Sequence, residues 1–325
     1  MSYNIKLDPE EKGARHSSNG SLMRFAIERC VTVDDFEKLL KEEIAKGPLG
    51  ASTNFGVMDA EGNAAYFETS YHEYYKFDVD DPAVAPEGFL IRSNFSFNGR
   101  PMKEGKGHLR YDQAELMVRK AIAQNDVTPE FFLKNLCRSY ANPLMETNYL
   151  GDEKNAPKNH GWLYDTDFIT RKTTLNSTLI KGVRKGEKPE LITMISIISY
   201  PGTTVAMPVW PVSSEYIPRM VRADEKVQSP LSTWGYLLKD RIYSWDLDDN
   251  ADNAKKYFNF GMLYNAEGTG YLQKVFSLEN AILPPYKEAL SRWYAKGKID
   301  YKELEALNAA ADSKVEAFYT ANFGF

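Results

Sequence analysis

Between Phe55 and Phe67 the chain runs Phe-Gly-Val-Met, then Asp59-Ala60-Glu61-Gly62-Asn63, then Ala-Ala-Tyr-Phe. A short turn rich in Asp, Gly and Asn between two apolar runs specifies a tight antiparallel hairpin. Strands joined in this way cannot be neighbours in a parallel sheet, which needs a long crossover between them. A second block repeats the message. Residues 173–183, 190–200 and 203–209 are rich in β-branched side chains, and Gly182 to Lys188 and Pro201-Gly202 supply turns, so a meander of three strands is predicted.

Helical periodicity lies outside these blocks. Leu22, Phe25, Ala26, Arg29 and Cys30 follow helical spacing; Thr32 stands where an N-cap belongs, with Asp34 and Asp35 in the next first turn. Phe36, Leu39, Leu40 and Ile44 form the second stripe, closed by Gly47-Pro48. A helix is predicted over 111–123, and Thr128-Pro129-Glu130 caps another through Cys137. Beyond residue 229 the pattern predicts helices over 231–243, 253–264, 270–295 with a kink at Pro284-Pro285, and 299–318. Helices and antiparallel strands in separate blocks indicate an α+β fold rather than α/β. The expected division is a core over 1–228 and a helical region over 229–325 packed on it.

Composition removes several function classes. A formal net charge of −5 without clustered Lys and Arg leaves no electrostatic footprint for nucleic acid. Cys30 and Cys137 lack CxxC spacing, and His16, His72, His108 and His160 lack any metal-ligand spacing. No GxGxxG, P-loop or HExxH pattern occurs, so neither a metal nor a cofactor is expected. No apolar run approaches membrane-spanning length, and localisation is left open.

The chemistry concentrates at 89–94, which reads as a buried strand. Phe89, Leu90 and Ile91 run straight into Arg92, Ser93 and Asn94, and polar groups at the end of a buried strand are costly unless something binds them. A pocket is therefore expected, with Arg92 and Ser93 as substrate contacts, although alternation sends Arg92 to the face opposite Ile91 and Ser93. Tyr71 opens an aromatic patch, Tyr71-His72-Glu73-Tyr74-Tyr75, that either lines this pocket or covers a sheet edge. Asn94-Phe95-Ser96 and Asn176-Ser177-Thr178 also match the glycosylation acceptor pattern.

The order of SYN, a helix pair, NFGVMDAEGNAAYFE, FLIRSNFSF and the block STLIKGV…PELITMISIISYPGTTVAMPVW resembles one family over roughly residues 1 to 215. This is the acyl-coenzyme A:6-aminopenicillanic acid acyltransferase and carcinine hydrolase-like family of N-terminal-nucleophile enzymes, distantly similar to the choloylglycine hydrolases. The resemblance implies a four-layer αββα sandwich that hydrolyses or transfers an amide-linked acyl group of a small molecule. A cysteine freed as first residue attacks the carbonyl, its α-amino group serving as base, and an asparagine side chain helps to hold the oxyanion. Carried over, Asn94 is the oxyanion donor and Arg171 the arginine that orients nucleophile or substrate.

The chain departs from the family at the nucleophile. The cysteine and the strands that it leads should stand ahead of SYN, so the expectation is a core lacking its N-terminal strands and inactive alone. Cys30 and Cys137 lie on helical apolar stripes and read as small buried hydrophobes. Ser2, exposed by removal of Met1, falls where the family places no chemistry. Two function classes follow. One is an amide-cleaving enzyme completed by its missing N-terminal segment; the other is a non-catalytic α+β binding or assembly module, with a homo-oligomer partner as a further expectation.

Overall fold

A computed structural model describes residues 18–50, 52–99, 106–150, 161–165, 167–223, 228–243 and 257–325. Two compact units are present, Met1–Glu115 with Gly182–Glu187, and Leu116–Lys181 with Lys188–Phe325. The SYN motif and Ser2 lie outside the described residues.

The first unit opens with α1 (Asn19–Arg29) and α2 (Val33–Lys46). Thr32 caps α2 as its sequence predicts: its hydroxyl accepts from the Asp35 amide at 3.1 Å while the Asp35 carboxylate accepts from the Thr32 amide at 3.0 Å. A sheet follows in the order β1 (Thr53–Met58), β2 (Ala64–Thr69), β3 (Tyr74–Asp78). Asp59 builds the predicted turn by accepting from the amides of Glu61 and Asn63, and its second oxygen accepts from the Val33 amide, tying the turn to the start of α2. Phe55 and Phe67 pair across β1 and β2, and both meet the Phe36 ring edge-on at 5.7 and 5.1 Å. Leu22, Leu39 and Leu40 complete this core.

Two expectations fail here. Tyr74 and Tyr75 do not cover a sheet edge; they are the edge, because 74–78 pairs along β2. Residues 89–94 form no strand. At the end of this segment, the Asn54 side chain of the sheet takes up the carbonyls of Ser93 and Phe95 in place of a ladder.

Helix α3 (His108–Ala123) crosses the boundary between the units. In the second unit Thr128 caps a helical turn as predicted, accepting from the Phe131 amide, but Phe131–Leu136 is wound as a π-helix. A small hairpin, β4 (Ala141–Asn142) and β5 (Thr147–Asn148), precedes β6 (Trp162–Tyr164). The predicted meander is β7 (Asn176–Lys181), β8 (Thr193–Ile198) and β9 (Met207–Val209), antiparallel throughout. Then come α4 (Pro230–Ile242), β10 (Tyr257–Asn259), α5 (Phe260–Leu263), α6 (Tyr271–Lys296) and α7 (Tyr301–Phe323). The helix predicted over 253–264 is broken, since Tyr257–Asn259 pairs with β6. Helix α6 continues through both Pro284 and Pro285.

The division expected at 228/229 is also corrected. The C-terminal helices share one unit with the meander because they complete its interior. Glu279 of α6 binds Arg138 and the Ala206 amide; Asp312 of α7 accepts from the amides of Arg219 and Met220; Tyr319 accepts from the Val205 amide. With every described ladder antiparallel, the fold is α+β.

Candidate functional site

Alternation along β1 and β2 turns Phe55 and Phe67 toward the helices and therefore turns Asn54 and Glu68, paired directly across the ladder, to the opposite face. These two side chains hold residues 93–98, the end of the predicted strand and the residues that follow it. Asn54 Nδ2 donates to the carbonyls of Ser93 and Phe95 at 3.1 and 3.0 Å. The Glu68 carboxylate accepts from the amides of Phe97 and Asn98 at 3.0 and 3.1 Å. Backbone groups of residues 93–98 are thus answered by side chains.

Glu68 also faces Arg92, with Oε1 3.0 Å from Nε. The contact is one of charge, since the Arg92 Nε–H is not aligned on any acceptor. The guanidinium lies among the rings of Phe77, Phe97 and Tyr66, at 4.4, 4.4 and 5.3 Å from their centroids. Only 5% of the Arg92 side chain is exposed. Burial draws its pKa below the usual arginine value, and the opposing pull of Glu68 does not restore it. Arg92 is thus a structural cation beneath the segment, and its enclosure lends no support to direct substrate contact.

The start of α3 holds the segment from the other side. Ser93 Oγ donates to the Gly107 carbonyl at 2.8 Å, and Arg110 Nη2 donates to Asn94 Oδ1 at 2.5 Å. Gly107 has φ +89°, and a Cβ there would sit 2.5 Å from Arg110 Nη2 and 2.9 Å from Ser93 Oγ. Backbone conformation and close approach both call for glycine. Phe95 is buried against Tyr111 of the same helix, ring centroids 5.3 Å apart. The half-buried Asn94 carboxamide therefore rests on a segment held by two strands and a helix, its oxygen fixed by a guanidinium.

Arg92, Ser93 and Asn94 are consecutive and lie on the segment that Asn54, Glu68 and Arg110 hold. Tyr71 sits elsewhere in the same unit, on the connection between β2 and β3, where its carbonyl accepts from the Leu49 amide. Arg171 belongs to the second unit, and its amide donates to Thr174 Oγ1. Sequence analysis missed Asn54, Glu68, Gly107 and Arg110. The first two were accessible, because counting outward from the Asp59 turn pairs them on one face. Nothing in the spacing of Arg110 pointed to Asn94.

The second unit carries a buried polar chain. The Tyr140 and Tyr200 hydroxyls lie 2.7 Å apart, Tyr200 and Tyr243 3.3 Å apart, and Tyr243 donates to Asp165 Oδ2 at 2.9 Å. The Lys172 amide also donates to this oxygen, whereas Asp165 Oδ1 is buried without a partner. Burial pushes the Asp165 carboxyl up to about 6 against the opposing donors. The cysteines lack nucleophile settings: burial pushes the Cys137 thiol up to about 11 and raises Cys30 as well. Among the described residues no three His, Cys, Asp or Glu side chains gather as a metal site requires, and no helix is long and apolar enough to cross a membrane.

No family model matches the chain, and neither a curated protein nor a solved structure matches it.

Proposed function

We propose that this chain carries the oxyanion-binding part of an enzyme that hydrolyses or transfers the acyl group of a small amide, with Asn94 Nδ2 donating to the developing oxyanion. The observation that carries the reading is the Arg110 to Asn94 hydrogen bond. A guanidinium on Oδ1 fixes the plane of the carboxamide and withdraws charge from it, which strengthens Nδ2 as a donor and orients it before the reaction begins. Ser93, which locks the segment to Gly107, stands nearest to this donor in sequence as a substrate contact. Arg92 acts beneath it as a positioning residue. In this reading the α+β fold is that of a four-layer αββα sandwich. The attacking thiol comes from outside these 325 residues, since neither Cys30 nor Cys137 is poised to react.

The test extends the chain upstream through an in-frame, cysteine-led segment and measures turnover of N-acyl and β-alanyl amides. Thiol alkylation should abolish the activity, and Asn94→Ala should lower kcat/KM by about a hundredfold or more. A variant within a few-fold of the parent would remove Asn94 from the reaction. Turnover by the 325 residues alone would overturn the assignment of the nucleophile. The competing reading, a non-catalytic α+β binding module, is favoured by the raised thiols and predicts no turnover in the extended chain either.

A further inference from the structure

Helix α1 has two apolar sides. Leu22 is buried in the core of the first unit, with Phe25 and Ala26 packed against it. On the outer side Met23 is 54% exposed and Ile27 85% exposed one turn later, and Val31, just past the Cys30 cap, is 79% exposed. Single exposed apolar residues are ordinary on a protein surface. Met23 and Ile27, one turn apart on α1, and Val31 on the connection beyond the extended Cys30 together make an apolar patch that calls for a partner.

The charges beside the patch indicate which partner. Arg24 and Glu28 form an exposed pair at 2.7 Å, with side chains 78% and 48% open to solvent, so both charges remain available. An acidic surface would attract Arg24 and repel Glu28, and a basic surface would do the reverse. A second copy of α1 laid antiparallel about Ile27 meets both: Ile27 falls on Ile27, Met23 lies toward the end of the other copy's helix that Val31 follows, and each Arg24 lies within a turn of the other copy's Glu28. We propose that the chain self-associates through this patch as a two-fold dimer, Ile27 packing on Ile27. Three side chains per copy cannot approach the roughly 800 Å² per partner of a standard interface, so the dimer is weak, with a Kd of about 10 μM to 1 mM.

Sedimentation equilibrium of the full chain tests this. The mass-average mass should climb from 37.0 kDa toward twice that value across this concentration range. Ile27→Glu should hold the chain at the monomer mass with an unchanged melting temperature, because the side chain that it replaces is solvent-exposed. Glu28→Arg should weaken association several-fold, and Arg24→Glu combined with Glu28→Arg should restore it, since the two copies then exchange signs together. A wild-type chain monomeric at about 1 mM, or an Ile27→Glu variant that associates as the wild type does, overturns the proposal. So does a monomer destabilised by Ile27→Glu, which would mean that the chain itself covers the patch.

Discussion

Each unit buries one arginine against one glutamate, and the two pairs behave oppositely. In the second unit all five N–H groups of Arg138 have acceptors: two reach the Glu279 carboxylate at 2.6 and 2.9 Å, and three reach the carbonyls of Leu133, Pro201 and Thr204. Burial alone would lower the Arg138 pKa, yet the Glu279 carboxylate outweighs it and the net shift is upward. In the first unit Arg92 meets Glu68 through one unaligned contact, and burial wins. Aromatic faces do part of the work there that hydrogen bonds do around Arg138. The difference marks two uses of the same chemistry. Arg138 is bound into the core it joins, whereas Arg92 and Glu68 together hold one surface segment, the one that carries Asn94.

The comparison is broken most directly at Glu279. Glu279→Ala leaves a fully buried guanidinium without its counter-charge and the Ala206 amide without its acceptor, so a loss of about 3–5 kcal/mol is expected in denaturant unfolding. Pairing Arg138→Met with Glu279→Leu removes both charges and should recover most of that loss. A double variant as unstable as the single one would show that the carbonyl contacts of Arg138, not its pairing, hold the core.

Asp165 sharpens the contrast, since it is a buried carboxylate of the second unit with no arginine bound to it. Its folded pKa of about 6 lies above the ordinary 3.8, so the folded state binds this proton more tightly than the unfolded chain does. Its contribution is then fully present below pH 3.8 and is lost as pH rises through 6, amounting to roughly 3 kcal/mol at most. Asp165→Asn keeps an oxygen for Tyr243 and for the Lys172 amide without the charge. The stability difference between variant and parent should therefore move in the variant's favour by about 2–3 kcal/mol between pH 4 and pH 8. A difference that does not change with pH would mean that Asp165 ionises freely in the fold.

What could be read in advance was local. The Thr32 cap, the Asp59 turn and the β7–β9 meander are each decided by residues within a few positions of one another, and all three form as the sequence predicts. The failures involve distance. Phe89 to Asn94 has the composition of a strand, but the carbonyls of Ser93 and Phe95 at its end found Asn54, about forty residues earlier, in place of a ladder. Tyr74 and Tyr75, read as part of an aromatic patch, begin an edge strand that pairs along β2. Arg138 and Glu279 lie 141 residues apart, and no periodicity links them. Within the candidate site, Arg92, Ser93 and Asn94 stood out as polar residues after an apolar run, whereas the groups that orient them come from a hairpin face and a helix start.

The smallest expected effect bears most on the site. Glu68→Gln removes the charge facing Arg92 but keeps an acceptor for one of the two amides at 97 and 98. The surrounding rings of Phe77, Phe97 and Tyr66 soften the loss for the guanidinium, so the cost should be about 1–2 kcal/mol, below that of Glu279→Ala. Because Glu68 holds a segment rather than a core, the change should appear locally: hydrogen exchange at Phe97 and Asn98 should quicken while the amides of β1 and β2 stay protected. Faster exchange throughout the hairpin would place Glu68 in the same class as Glu279 and erase the distinction between the two pairs. If the effect is local, Asn94 loses its fixed position without loss of the fold, and the extended enzyme should then show a fall in kcat with KM largely kept, the pattern of a donor that acts only in the transition state.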